Sequence, residues 1–208
     1  MRHATPKWIL PLLGVAWLAL IGVGYSFITS YANTPGASAP APSLWPANAS
    51  ISLDAEQPTL LLFLHPRCPC SRATLGELET LIAQVQARIR THVFFFKPDT
   101  EADDWVKTDL WSTAASLPGV TVHVDPEGRE ALRFGALTSG HAVLYDPDGH
   151  LHFSGGITGA RGHQGDNAGR TAIVSWIRHQ DQLSPDSTAV IPVFGCALGN
   201  TFNPSPQP

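Results

Sequence analysis

The chain opens on a long apolar run and then changes period. Trp8 to Ile28 spans 21 residues, mostly apolar and without charge, enough to cross a hydrocarbon core of about 30 Å as a helix. Thr59 to His65 is a short, leucine-rich run of the kind that forms a strand buried on both faces. Leu75, Leu78, Ile82, Val85 and Ile89 follow at alternating spacings of three and four, a single stripe along a helix of about 20 residues. Val93 to Lys97 reads as a strand ended by Pro98. Ala102 to Ser116 reads as a helix stopped by Pro118-Gly119. Thr121 to Val124 predicts a third strand, and Pro126 to Phe134 a brief helix with Gly135 as its cap. His141 to Asp146 and His150 to Ser154 flank Asp146-Pro147-Asp148-Gly149, a hairpin signal. Asn167 or Asp166 caps a last helix running to about Gln180. A βαβαβαββα order of this kind predicts an α/β fold, a mixed sheet with helices on both faces.

Charge orients the first run. Arg2 and Lys7 precede it, and no Lys or Arg follows until Arg67. The positive-inside rule therefore puts 1–7 in the cytoplasm, 8–28 across the membrane and the remainder outside. A cleaved signal peptide is the competing reading, with Ala37-Ser38-Ala39 as a cleavage site. The run exceeds the roughly 7–15 residues of a usual signal core, which favours an uncleaved anchor in the inner (cytoplasmic) membrane. Residues 29–57, with Pro35, Pro40, Pro42 and Pro46 among Ala and Ser, read as a semi-extended linker without a core of its own. Residues 58–182 then form the domain, and 183–208 an irregular tail. The net charge of −4 and the lack of any basic run argue against a nucleic-acid partner.

The candidate chemistry centres on Cys68-Pro69-Cys70, between the Thr59–His65 strand and the following helix. A helix N-terminus offers unpaired N–H groups and partial positive charge, which favour the thiolate, the reactive form of cysteine. Arg67 adds a neighbouring positive charge. Cys196, in the tail, is the third and last cysteine. It is either a resolving thiol for Cys68 or Cys70, a structural partner, or an inert buried residue; three pairings are open. Nine histidines are present, and His65, His141 and His163 lie near the predicted thiol loop or in the Gly-rich stretch Gly155–Gly169. Thiolates with imidazole suit Cu(I) or Zn(II), so Cys68, Cys70 and His141 form an alternative metal set.

Several motifs carry a resemblance. The strand–Cys-x-Cys–helix unit, Val124-Asp125-Pro126-Glu127-Gly128, Leu144-Tyr145-Asp146-Pro147-Asp148-Gly149 and Phe153-Ser154-Gly155-Gly156 resemble the thioredoxin-fold, membrane-tethered thiol–disulfide oxidoreductases of the bacterial periplasm. His65-Pro66-Arg67-Cys68-Pro69-Cys70-Ser71-Arg72, Thr138-Ser139-Gly140, Gly155-Gly156-Ile157-Thr158, Arg161 to Asn167 and Pro192-Val193-Phe194-Gly195-Cys196 resemble more specifically the RedB-like proteins. The resemblance implies a thioredoxin-like mixed sheet and exchange with a protein thiol or disulfide partner. It implies Cys68 as the attacking thiol, no cofactor, and Thr138, Ser139 and Gly140 against the incoming partner. Two features depart from the pattern. The usual Cys-x-x-Cys is one residue shorter here, and strain in so small a disulfide ring favours a more oxidising pair. Gly140 falls where a cis-proline is usual. The loop is therefore expected to be looser, with a Thr or Ser hydroxyl free to bond a thiolate. A copper-delivery protein and a non-catalytic docking module are the alternative functions.

Overall fold

The central strand explains the layers. The structure is a computed structural model that describes residues 8–85, 88–179 and 188–199. Arg2, Lys7, Gln180 and the ends of the predicted tail therefore lie outside the described residues. β1 (Thr59–Leu64) is buried at every position, because both of its faces are covered. Leu60, Leu62 and Leu64 point into one core and Leu61 and Phe63 into another. β2 (Arg90–Lys97) and β3 (Val120–Pro126) extend the sheet in parallel on one side of β1. On the other side β4 (His141–Tyr145) runs antiparallel to β1 and is joined to β5 (Leu151–Gly156) by the predicted hairpin. The full order is β3-β2-β1-β4-β5-β6, where β6 is Ala189–Ile191. Three parallel strands with helical crossovers, followed by an antiparallel hairpin and a helix, are the thioredoxin-like arrangement.

α2 (Pro69–Val85) carries the predicted stripe as far as Val85, with Ile89 beyond its end, and packs Leu75, Leu78, Leu81, Ile82 and Val85 on the first face. Pro69 is its first residue, where a fixed φ and a missing N–H cost nothing. α5 (Ala168–His179) joins it there through Ile173 and Ile177. The two helices are tied by Glu77, which is 3% exposed. Its carboxylate accepts from the N–H of Gly165 at 2.6 Å, from Asn167 Nδ2 at 3.0 Å and from Arg170 at 2.6 Å. A buried carboxylate is tolerated because it is paired and fully hydrogen-bonded. The Gly-rich stretch before α5 is thereby fixed against α2.

Three expectations are revised. The predicted helix over 102–116 is divided into a 3-10 turn (Asp103–Trp105) and α3 (Asp109–Ser116). Thr108 between them is extended, and its hydroxyl donates to Pro66 O at 3.1 Å. The tail supplies a sixth strand, β6 (Ala189–Ile191), parallel to β5.

The largest revision concerns residues 29–57. The apolar helix α1 runs over Ile9–Asn33, past the predicted end at Ile28, and none of its residues is buried. At about 1.5 Å per residue its 25 residues span roughly 37 Å. From Pro35 the chain belongs to the globular unit. It is a strap rather than a free linker. Gly36 N–H donates to Val193 O, Ala39 N–H to Gly135 O and Trp45 N–H to Gly149 O, while Leu151 N–H donates to Ser43 O. Trp45 packs edge-on against Phe134 and Tyr145 at 5.2 and 5.3 Å, and Ile51 and Leu53 close the second core with it. Among the described helices, the five-residue α4 (Arg129–Arg133) alone covers the sheet face carrying Leu61, Phe63, Val143 and Tyr145, with Leu198 of the tail beside it. The strap completes that cover. Composition alone does not reveal this, because prolines reduce helix and strand but do not prevent docking of an extended chain.

If the strap is structural, Trp45→Ala will destabilise the protein by roughly 2–3 kcal/mol, somewhat below the range for a fully buried tryptophan. Chemical unfolding of the detergent-solubilised full chain will report it. An unchanged midpoint would return residues 35–57 to the status of a loose tether.

Candidate thiol site

The site is built where β1 ends. His65, Pro66 and Arg67 turn the chain, and Cys68 N–H donates to His65 O at 3.2 Å as α2 begins. Two buried serines lock this turn to the segment before β4. Ser71 Oγ donates to His65 O at 2.8 Å and lies 2.9 Å from Ser139 Oγ. Since Ser71 spends its proton on His65, Ser139 donates to Ser71, and Ser139 Oγ in turn accepts from His65 N–H at 2.9 Å. Gly140 follows with φ of +96°, and its N–H donates to Phe63 O at 2.8 Å. A Cβ there would lie 3.0 Å from Thr74 Oγ1.

These bonds correct the expected loop. Gly140 does not loosen it: the segment is tied to β1 on both sides of the turn. A proline could not take this position, since it lacks the N–H and its φ lies near −65°. Nor are the hydroxyls free for a thiolate. Ser139 is committed to His65 and Ser71, and Thr138 Oγ1 donates to Ala37 O at 2.7 Å.

The tail brings the third sulfur. After β6 the chain crosses to the 137–139 segment and pairs with it antiparallel. Ser139 N–H donates to Cys196 O at 2.8 Å, and Leu198 N–H to Leu137 O at 3.0 Å; Thr138 and Ala197 form the bridge between these bonds. Cys196 Sγ thereby stands 2.8 Å from Cys68 Sγ. The sulfurs of Cys68, Cys70 and Cys196 all lie within 4.8 Å of one another. Cys68 is 3% exposed, whereas Cys70 and Cys196 are partly exposed.

The three thiols are not equivalent. Burial opposes ionisation of Cys68. That is outweighed by the Cys196 thiol and by N–H groups of the chain around it, including those of Cys70 and Ser71, so its pKa falls below that of an ordinary thiol. Burial and the adjacent Cys68 charge push Cys70 up. Cys196 is pushed up to about 12 by burial, by its bond to Cys68 and by the charges of both other cysteines. One thiolate flanked by two protonated thiols is the arrangement these influences favour.

Arg67 is not the cation that acts on this cluster. Its guanidinium lies 4.6 Å from the centre of the Trp105 ring. There it adds to burial in holding the His65 pKa below its usual value. The charge that reaches Cys70 and Cys196 belongs to Arg161, which lowers both against the other influences and donates to Gly195 O. Sequence inspection does not single out Arg161 for this role, because its place follows from the docking of the Gly-rich stretch on Glu77. Ser71, three residues after Cys68, carried a weak signal as a helix-start hydroxyl.

His141 does not join the sulfurs. Along β4 it shares a face with Val143 and Tyr145, whereas α2 covers the opposite face with Ala142 and Leu144. Its Nε2 is 2.9 Å from Ser154 Oγ, and its Nδ1 is buried without a hydrogen-bond partner. Among the described residues the groupable metal ligands are Cys68, Cys70 and Cys196, so Cys196 takes the place given to His141 in the alternative set.

Comparison with known proteins supports the fold. No family model matches the chain, and no curated protein does. Among solved structures it is similar to a hypothetical protein of Sinorhizobium meliloti, at 17% identity and a TM-score of 0.57, over 79% of this chain and 93% of that one. It is similar to an uncharacterised conserved protein of Geobacillus kaustophilus at 14% identity and a TM-score of 0.58, over 80% and 92%. A secreted disulfide oxidoreductase of Mycobacterium tuberculosis aligns at 16% identity and a TM-score of 0.42, over 61% and 83%. At such identities the likeness to the first two is one of fold. The sheet order and helix placement define a thioredoxin-like fold.

Burial lowers the His141 pKa to about 4. The folded state therefore holds it neutral, and its contribution to stability is complete above about pH 6.5 and is lost as pH falls from there toward 4. His92, also lowered to about 4 by burial and then by His123, acts in the same direction. We expect stability to decline across this window. His141→Gln, which keeps a partner for Ser154, will flatten the decline by on the order of 3 kcal/mol. Parallel slopes for the two proteins in denaturant titrations at pH 4.5 to 7 would rule this out.

Proposed function

We propose that this protein is a membrane-anchored, extracytoplasmic thiol–disulfide oxidoreductase. The observation that carries the reading is the cluster of three sulfurs within 4.8 Å at the start of α2, in which Cys68 alone is acidified. Cys68 attacks one sulfur of a disulfide in a protein partner, and the partner's second sulfur leaves as a thiol. Cys196 or Cys70 then attacks Cys68 and releases the partner. Electrons move by exchange, so no cofactor takes part. The motif resemblance to the RedB-like proteins supports this reading. The apolar α1 and the charge asymmetry around it support an inner-membrane anchor, with 58–182 as the catalytic domain and Cys196 in the segment that follows. In this reading Thr138, Ser139 and Gly140 lie against the incoming partner, and Cys68 lines an open hollow with Pro66, Arg67, Thr108 and Leu110.

One observation favours a second reading. Three thiolates at these distances suit a soft ion, Cu(I) or Zn(II), held by Cys68, Cys70 and Cys196.

The two readings separate on Cys68→Ser. Exchange with a model disulfide will be abolished by Cys68→Ser, whereas Cys196→Ser and Cys70→Ser will retain attack and slow release. The ultraviolet absorbance of the thiolate will titrate below the ordinary thiol range in the reduced wild type and lose that component in Cys68→Ser. Exchange that survives Cys68→Ser, with loss of bound copper, would sink the oxidoreductase reading in favour of the metal one.

The anchor is tested separately. The full chain will stay with membranes after a carbonate wash, and a C-terminal reporter will work only outside the cytoplasm. Release of a shortened soluble form would mean that the apolar helix is a cleaved signal.

A further inference from the structure

The segment Gly195–Leu198 binds its own protein in an unusual way for a tail. It pairs antiparallel with 137–139 about the Thr138–Ala197 bridge through two main-chain bonds, Ser139 N–H to Cys196 O and Leu198 N–H to Leu137 O, and Arg161 donates to Gly195 O beside them. Main-chain pairing of this kind accepts any extended segment and places alternate side chains by register. The register here delivers one side chain, Cys196, to within 2.8 Å of Cys68. Its neighbours are selected by shape. A Cβ on Gly195 would lie 1.9 Å from Ser139 O. Ala197 is exposed. Leu198 is 4% exposed and packs with Ala131, Phe134 and Ala136.

We propose that Gly195–Leu198 is an internal substrate, seated on the edge that an extended, cysteine-bearing partner peptide must take to reach Cys68. This rests on the exchange reading above and adds the partner's chemistry and the control of the site. The recognised sequence is a small residue, cysteine, an unrestricted residue, then an apolar one. The peptide enters as Gly195–Leu198 lifts. The Cys68 thiolate attacks the peptide's disulfide sulfur, and the other sulfur leaves and takes up a proton. The segment then returns to the edge. It breaks the peptide's main-chain bonds as Cys196 gives up its proton and attacks the Cys68 sulfur. The peptide leaves as its thiol. The Cys68–Cys196 dithiol has lost two electrons to the partner disulfide, so resolution and release are one movement.

The test uses the reduced, detergent-solubilised full chain. The first probe is a synthetic peptide of residues 192–199 carrying Cys196→Ser, which can dock but cannot exchange. It will raise alkylation of Cys196 in the wild type several-fold, and a version with Gly195→Val will not. No rise with either peptide would overturn the proposal, whatever the exchange assays give. The second probe is a Gly-Cys-Ala-Leu peptide joined by a disulfide to a chromogenic thiol. Gly195→Val in the protein, with its fold checked by circular dichroism, will speed release of the chromophore several-fold and slow release of the peptide several-fold. Cys196→Ser, which keeps the docked segment, will slow only the second step. Leu198→Asp serves in the same way if Gly195→Val does not fold. Unchanged chromophore release in the folded variant would show that the segment does not compete for the edge. Loss of chromophore release in every protein, with the docking peptide still exposing Cys196, would instead remove the exchange reading and leave the docking edge standing.

Discussion

Four separate stretches of chain converge on Leu137–Gly140, and the hydrogen bonds made there hold the thiol site together. Gly140 N–H is taken by Phe63 O at the end of β1. The Ser139 hydroxyl bridges His65 at the turn and Ser71 on α2. The Thr138 hydroxyl is taken by Ala37 in the strap. Ser139 N–H is taken by Cys196 in the tail. All four residues but Leu137 are buried, where an unpaired polar group is costly. While the tail is docked, these bonds together set the relative positions of Cys68 and Cys196. A loop that composition presents as small and pliant is in this way a heavily bonded junction.

The electrostatics of the sulfurs follow from that junction. Helix α2 supplies N–H groups to Cys68, and the register of the 137–139 pairing supplies the Cys196 thiol. Burial raises all three thiols. Only Cys68 collects enough donors to overcome it. Arg161 acts at the other side of the cluster, and its place depends on Glu77, Asn167 and Arg170 holding the Gly-rich stretch against α2.

The local patterns were legible in the sequence. The double-sided burial of β1 is written in its unbroken leucine-rich run, and the stripe from Leu75 to Val85 gives α2 and its inward face. The Asp146–Gly149 turn fixes the β4–β5 hairpin, and Pro69 after a strand places Cys68 at a helix start. The apolar run of α1 is legible in the same way, from length and absence of charge. Each of these depends on neighbours within a few residues, which is the range over which periodicity and turn chemistry act.

Long-range pairing was not legible, and it decided the site. The strap docks because one sheet face lacks cover, a fact that exists only once α2 and α5 have both chosen the other face. His141 falls away from the sulfurs because the pleat of β4 turns it toward Ser154, which no spacing from Cys68 can report. Arg161 reaches the cluster, and Arg67 turns from it to Trp105, through contacts of residues 34 and 38 positions apart. Cys196 lies 128 residues from Cys68 in sequence, and its sulfur comes to 2.8 Å only through the pairing of Ala197 with Thr138. The sequence by itself determined the elements and the helix-start cysteine, because those are set by local geometry. The tertiary structure alone decided which groups surround that cysteine, because buried backbone and side-chain polar groups must find partners wherever the fold brings them.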